Sequence, residues 1–84
     1  MRRHGYTTEE VVRRGREIYE NEIRAEVEPE HDGDFVAVDV ESGAWEVGRD
    51  DVAVSDGVLQ KNPRAVLYLL RVGRPAAYRI GFVR

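Results

Sequence analysis

At 84 residues the chain has room for one domain, close to the lower limit at which a single apolar core is stable without metals or disulfides. Its 42% hydrophobic and 35% charged residues mark a globular chain rather than a disordered one, and the lack of cysteine excludes disulfides and thiolate metal sites and suits a reducing compartment. The net charge of -3 divides unevenly, +1 over residues 1–24, -9 over 25–62 and +5 over 63–84, so opposite patches can neutralise each other in the fold or face two partners.

The opening Met-Arg-Arg-His-Gly-Tyr-Thr-Thr has no apolar leader segment, and no stretch is long enough to cross a bilayer. A cytoplasmic protein is the expectation. Thr7 and Glu10 are spaced as the N-cap and N3 of a capping box, with Tyr6 and Val11 placed as a hydrophobic staple. Beyond them Val11, Val12, Gly15, Ile18, Tyr19, Glu22, Ile23 and Ala25 fall largely on a 3.6-residue stripe, which predicts a helix from about Thr8 to Val27 that packs one face and stops before Pro29. Its other face carries Arg13, Arg14, Arg16, Glu17, Glu20 and Arg24. Arg13 with Glu17 and Arg16 with Glu20 are four apart and can pair.

Glu28-Pro29-Glu30-His31-Asp32-Gly33-Asp34 is an acidic connector with a turn at Asp32-Gly33. Its spacing fits neither a calcium loop nor a zinc site, so a polar turn is expected, and no metal or cofactor. Residues 35–40 and 44–47 read as a β-hairpin about Glu41-Ser42-Gly43, where Gly43 supplies the positive φ. Trp45 is expected to anchor a sheet face. Asp50 can cap a second helix that closes near Asn62. Residues 65–72, Ala-Val-Leu-Tyr-Leu-Leu-Arg-Val, are the longest apolar run and lie between Pro63 and Gly73. Both alternating faces are apolar, as in a central strand covered on both sides. A last strand, Ala76 to Ile80, follows the turn at Gly73-Arg74-Pro75.

The predicted fold is a single α+β domain over residues 1–84, in the order α-β-β-α-β-β, with one four-stranded sheet under helical cover. One sheet edge should remain exposed, and exposed edges attract other chains, so a homodimer or a bound partner is expected. No thiol, nucleophile elbow or glycine-rich phosphate loop is present, and no residues combine a nucleophile, a base and an oxyanion site, so an enzyme is not expected.

A family resemblance adds to this reading. Tyr6-Thr7 with Glu9-Glu10, Arg14-Gly15, Glu17-Ile18-Tyr19, Ile23-Arg24, Val27-Glu28 and the run from Gly33 to Gly43 resemble a family of small uncharacterised bacterial proteins. Asp50-Asp51, Ala53, Asn62-Pro63 and Leu67 to Gly73 continue the likeness over nearly the whole chain. Members of that family are often encoded beside a small retropepsin-like (clan AA) aspartic protease, in an arrangement like a toxin–antitoxin pair. The resemblance implies an antitoxin-like, protein-binding role and carries no catalytic or ligand residue. The expected partner surface is a sheet edge or the helical stripe, with Val12, Ile18, Tyr19, Ile23, Trp45 and Tyr78 as candidate contacts. The alternative is a nucleic-acid-binding or autoregulatory protein using Arg13, Arg14, Arg16, Arg71, Arg74 and Arg79.

Overall fold

A computed structural model describes residues 5–74 and, as backbone alone, residues 77–82. The capping box forms as its spacing requires: the Thr7 N–H donates to Glu10 Oε1 at 2.7 Å, and the Glu10 N–H donates to Thr7 Oγ1 at 3.2 Å. From this cap α1 runs over Thr8–Ile18. It does not continue to Val27 as one α-helix. A π-helical turn occupies Tyr19–Ile23, with the Arg24 N–H donating to the Tyr19 C=O, and a short α2 covers Arg24–Val27.

The burial pattern supplies the reason. Val11, Gly15, Tyr19, Ile23 and Val27 are the buried positions, each four residues after the last. In a regular α-helix four residues overshoot one full turn by about 40°, so five such positions would wander about 160° around the axis. A π turn closes its hydrogen bonds over five residues instead of four and so takes more residues per turn. That turn rotates the stripe back, and all five positions meet the sheet.

Strand β1 (Phe35–Asp39) pairs antiparallel with β2 (Trp45–Gly48) on one side and with β3 (Val66–Arg71) on the other. Gly43 turns the hairpin with φ 85°. Asp50 caps α3 (Asp51–Lys61), its Oδ2 accepting from the Ala53 N–H at 3.3 Å. Since β2 and β3 are both antiparallel to β1, they run parallel to each other, and α3 is the crossover between them. On one face Val36, Val38, Val66, Tyr68 and Leu70 pack beneath the N-terminal helical run. On the other, Ala37, Leu67 and Leu69 pack against Val54 and Val58 of α3. The β3 run is therefore apolar on both faces because a helix covers each.

The predicted α-β-β-α-β-β order and four-stranded sheet need correction. The first helix is three segments, and the packed core of the sheet is the three-stranded antiparallel unit β2-β1-β3. The segment β4 (Ala77–Phe82) pairs along the outer side of β3 with a register shift between Leu69 and Leu70. It joins as an irregular edge and is not an equal fourth core strand.

At the end of β1, Asp39 is fully buried and ionised. Its Oδ1 accepts from the N–H groups of Glu41 and Val66, each at 3.1 Å, and its Oδ2 from Ser42 Oγ at 2.7 Å and Asn62 Nδ2 at 3.0 Å. Burial by itself would raise its pKa, but the bonds from Ser42, Glu41, Val66 and Asn62 together hold it below the ordinary value. One carboxylate thus joins the hairpin turn, the C-cap of α3 and the start of β3.

Helix and sheet approach closely at Gly15, where an added Cβ would lie 2.7 Å from Tyr68 Cβ and nearer still to the ring. Gly15→Ala is expected to destabilise the fold by about 1–3 kcal/mol through overpacking. That is a fall in Tm of about 4–8 °C per kcal/mol for a domain of this size. Thermal unfolding checks it, and an unchanged Tm would show that α1 and β3 are not held in contact there.

Candidate functional site

The helical stripe expected to bind a partner is occupied by the protein's own sheet. Ile23 is fully buried and Tyr19 is 7% exposed, both in the core beneath α1, while Val12 and Ile18 are half-buried on its flanks. The side chain of Tyr78 lies outside the described residues. Trp45 sits differently: with Val47 it is half-buried on β2, an edge of the sheet. The two helical layers are offset, α1 lying mainly over β3 and β4, and α3 lying mainly over β1 and β2 on the opposite face while also reaching Leu67 and Leu69 of β3. The α1-side face of β2 is left incompletely covered. Because the Asp39 N–H donates to the Ala44 C=O, the alternation of antiparallel pairing turns the backbone groups of Trp45 and Val47 outward.

The arginines do not form one basic face. Arg14 turns inward, with Nε and Nη2 donating to the Val40 C=O at 3.4 Å and its guanidinium over the Tyr6 ring at 5.2 Å. Arg71 donates to the Gly33 C=O at 2.9 Å and lies over Phe35 at 5.3 Å. Both act as latches. Arg13 is exposed beside an open groove of about 570 Å³ along α1 that Val12 and Arg16 also line. The side chain of Arg79 lies outside the described residues. Among the described residues Arg13 and Arg16 share that groove, and Arg16 and Arg74 line a smaller cavity.

That cavity adjoins the π turn. It has a volume of about 40 Å³ and is lined by Arg16, Tyr19, Glu20, Tyr68, Leu70 and Arg74. A second, of about 260 Å³, shares Tyr19, Glu20 and Arg74 and adds Arg24, Glu28 and Gly73. The expected pairs Arg13–Glu17 and Arg16–Glu20 are absent among the described residues. Arg24 takes Glu20 at 2.8 Å and Glu28 at 3.2 Å instead. Tyr19 donates to Glu28 Oε2 at 2.6 Å. Burial first, then this bond and the charge of Glu28, push the Tyr19 phenol above its ordinary range. The Glu28 carboxyl is held below its ordinary value, chiefly by the Tyr19 bond, against desolvation and with help from Arg24.

Sequence reasoning did not anticipate Glu28, Tyr68 or Leu70 at a cavity. The available signal was the strict four-residue spacing from Val11 to Val27, which a regular α-helix does not keep on one face. In the acidic connector, His31 Nδ1 lies 3.0 Å from Asp34 Oδ2. Among the described residues no group of three or more His, Cys, Asp or Glu side chains is placed to hold a metal ion, and no helix is long and apolar enough to cross a membrane.

Compared with protein-family models, with curated proteins and with solved structures, the chain finds no match in any of the three.

Tyr19→Phe removes the bond that most lowers the Glu28 pKa, so the Glu28 carboxyl should titrate nearer its ordinary value. Because the folded pKa is depressed, the contribution of Glu28 to stability is present above the ordinary carboxylate value and lost as pH falls through the folded one. The variant should show less of that loss. Carbon-detected NMR titration of the Glu28 carboxyl is the check, and an identical titration in both proteins would count against the pair.

Proposed function

We propose that this protein is a protein–protein interaction module, antitoxin-like in role, that binds a neighbouring protein along the β2 edge. The observation that carries this reading is the half-buried pair Trp45 and Val47 on an edge strand whose outward backbone groups face away from β1. An extended segment can add to such an edge, its main chain supplying hydrogen bonds and its alternate side chains meeting Trp45 and Val47. Residues 41–51 carry Glu41, Asp50 and Asp51, and Glu46 in an ion pair with Lys61, against Arg49, so the complementary segment is basic with apolar residues at alternate positions. The partner implied by the family resemblance is the adjacent small aspartic protease. The helical stripe offers less to a partner, since Tyr19 and Ile23 are committed to the core. The nucleic-acid alternative is weakened by the use of Arg14 and Arg71 as internal latches.

Co-expression with the protein encoded next to it, followed by affinity capture and light scattering, should give a stoichiometric complex. Val47→Pro removes an outward N–H while leaving the β1 pairing intact. With its fold verified by circular dichroism, it should weaken the complex about tenfold or more. A wild-type protein that captures no neighbour, or a folded Val47→Pro that binds as well as wild type, would overturn the reading.

A further inference from the structure

We propose that Arg16, Arg74 and the Tyr68 hydroxyl form a binding site for a small oxyanion, a phosphate or carboxylate group, beside the π turn. This site does not depend on the β2 reading, since it lies between the N-terminal helical run and β3.

Charge accounting around the cavities points to the ligand. Among the described residues three guanidinium groups, Arg16, Arg24 and Arg74, and two carboxylates, Glu20 and Glu28, line them. Both carboxylates are held by Arg24, and Glu28 also accepts the Tyr19 hydroxyl. Arg16 and Arg74 are left with no ion-pair partner among the described residues. Tyr68 is 1% exposed and lines the same cavity, and its hydroxyl has no hydrogen-bond partner among the described residues. No buried side-chain oxygen or nitrogen lacks a partner among the described residues, so the Tyr68 hydroxyl reaches solvent, and with the exposed Arg16 and Arg74 on the same cavity it is free to take an acceptor.

The cavity beside them has about 40 Å³, room for roughly three water-sized atoms, which suits the oxygens of a carboxylate or a phosphate ester. The adjoining space of about 260 Å³ can take the rest of a small molecule. A cation would meet two positive charges, and a neutral ligand would gain little over the water that hydrates these two exposed side chains. An oxyanion satisfies all three donors with charge-assisted bonds. Burial raises the Tyr68 pKa while the positive charge of Arg16 lowers it, so the guanidinium acts on the hydroxyl through space. The π turn contributes by keeping Tyr19 on the buried stripe and holding Glu20 and Glu28 on Arg24. Single-turn π segments are frequent at functional sites.

The test is thermal unfolding of the full chain with sodium phosphate or sodium acetate against sodium chloride at matched ionic strength and pH 7. Two-dimensional NMR would follow the arginine Nε–Hε resonances. Phosphate, acetate or both should raise Tm in a saturable manner and shift the Arg16 and Arg74 resonances, and the more effective salt identifies the group. Arg16→Gln and Arg74→Gln should each weaken the effect about tenfold or more, as loss of a charge-assisted bond does. Tyr68→Phe, which keeps the ring against Gly15, should weaken it less. Arg64→Gln, an exposed arginine outside the cavities, should leave it unchanged. No stabilisation beyond that of chloride, or an effect that survives in Arg16→Gln and Arg74→Gln, would overturn the proposal.

Discussion

The fold depends on a buried carboxylate that has no cation among its hydrogen-bond partners. Asp39 ends β1 in full burial and accepts four hydrogen bonds from three separate parts of the chain. A buried charge left unpaired costs several kcal/mol, so the hairpin turn, the end of α3 and the start of β3 must all be in place before the ionised group is tolerated. Asn62 connects the last two: its amide donates to Asp39 while its Oδ1 accepts from the Arg64 N–H. The path from α3 into β3 is fixed in this way, and with it the register that sets Tyr68 opposite Val38 and beneath Gly15.

From that register follows the offset of the two helical layers. The N-terminal helical run covers mainly β3 and its outer side; α3 covers mainly β1 and β2 from the other face and reaches β3 at Leu67 and Leu69. Each layer leaves part of the sheet less covered. On β2 the consequence is a half-buried Trp45 and Val47 at an edge, and along the N-terminal run it is the π turn with its adjoining cavities. The two features have opposite chemical character. The β2 flank is acidic and partly apolar, whereas the smaller cavity is lined by two guanidinium groups that have no ion-pair partner among the described residues and by Tyr68.

Much of the local structure was legible because short-range chemistry decides it. The Thr7–Glu10 box, the Asp50 cap, the Gly43 turn and the two-faced apolar run of β3 each depend on residues a few positions apart. What could not be read depends on long-range partners. Asp39 looks like the polar end of a hairpin strand until Asn62 and Val66, 23 and 27 residues later, are brought to it. Arg14 and Arg71 looked like part of a basic surface until Val40, Tyr6, Gly33 and Phe35 were found beneath them. The π turn is an intermediate case. Five burial positions at intervals of four announce it, but a stripe with a 3.6-residue tolerance accommodates the same residues and hides the mismatch. Of the residues proposed for partner contact, Trp45 lies on an open edge, Tyr19 and Ile23 lie in the core, and the side chain of Tyr78 is outside the described residues.

The most direct measurement is the carboxyl titration of Asp39 by NMR, taken together with the pH dependence of unfolding for the wild type and Asp39→Asn. In the variant the side-chain amide would face the donor amide of Asn62, so about 1–3 kcal/mol should be lost at neutral pH. Because the folded pKa lies below the ordinary value of 3.8, that difference should be full above it and shrink as pH falls through the folded value. An Asp39 that titrates at or above its ordinary value, or a variant equally stable at every pH, would contradict the role given to this carboxylate.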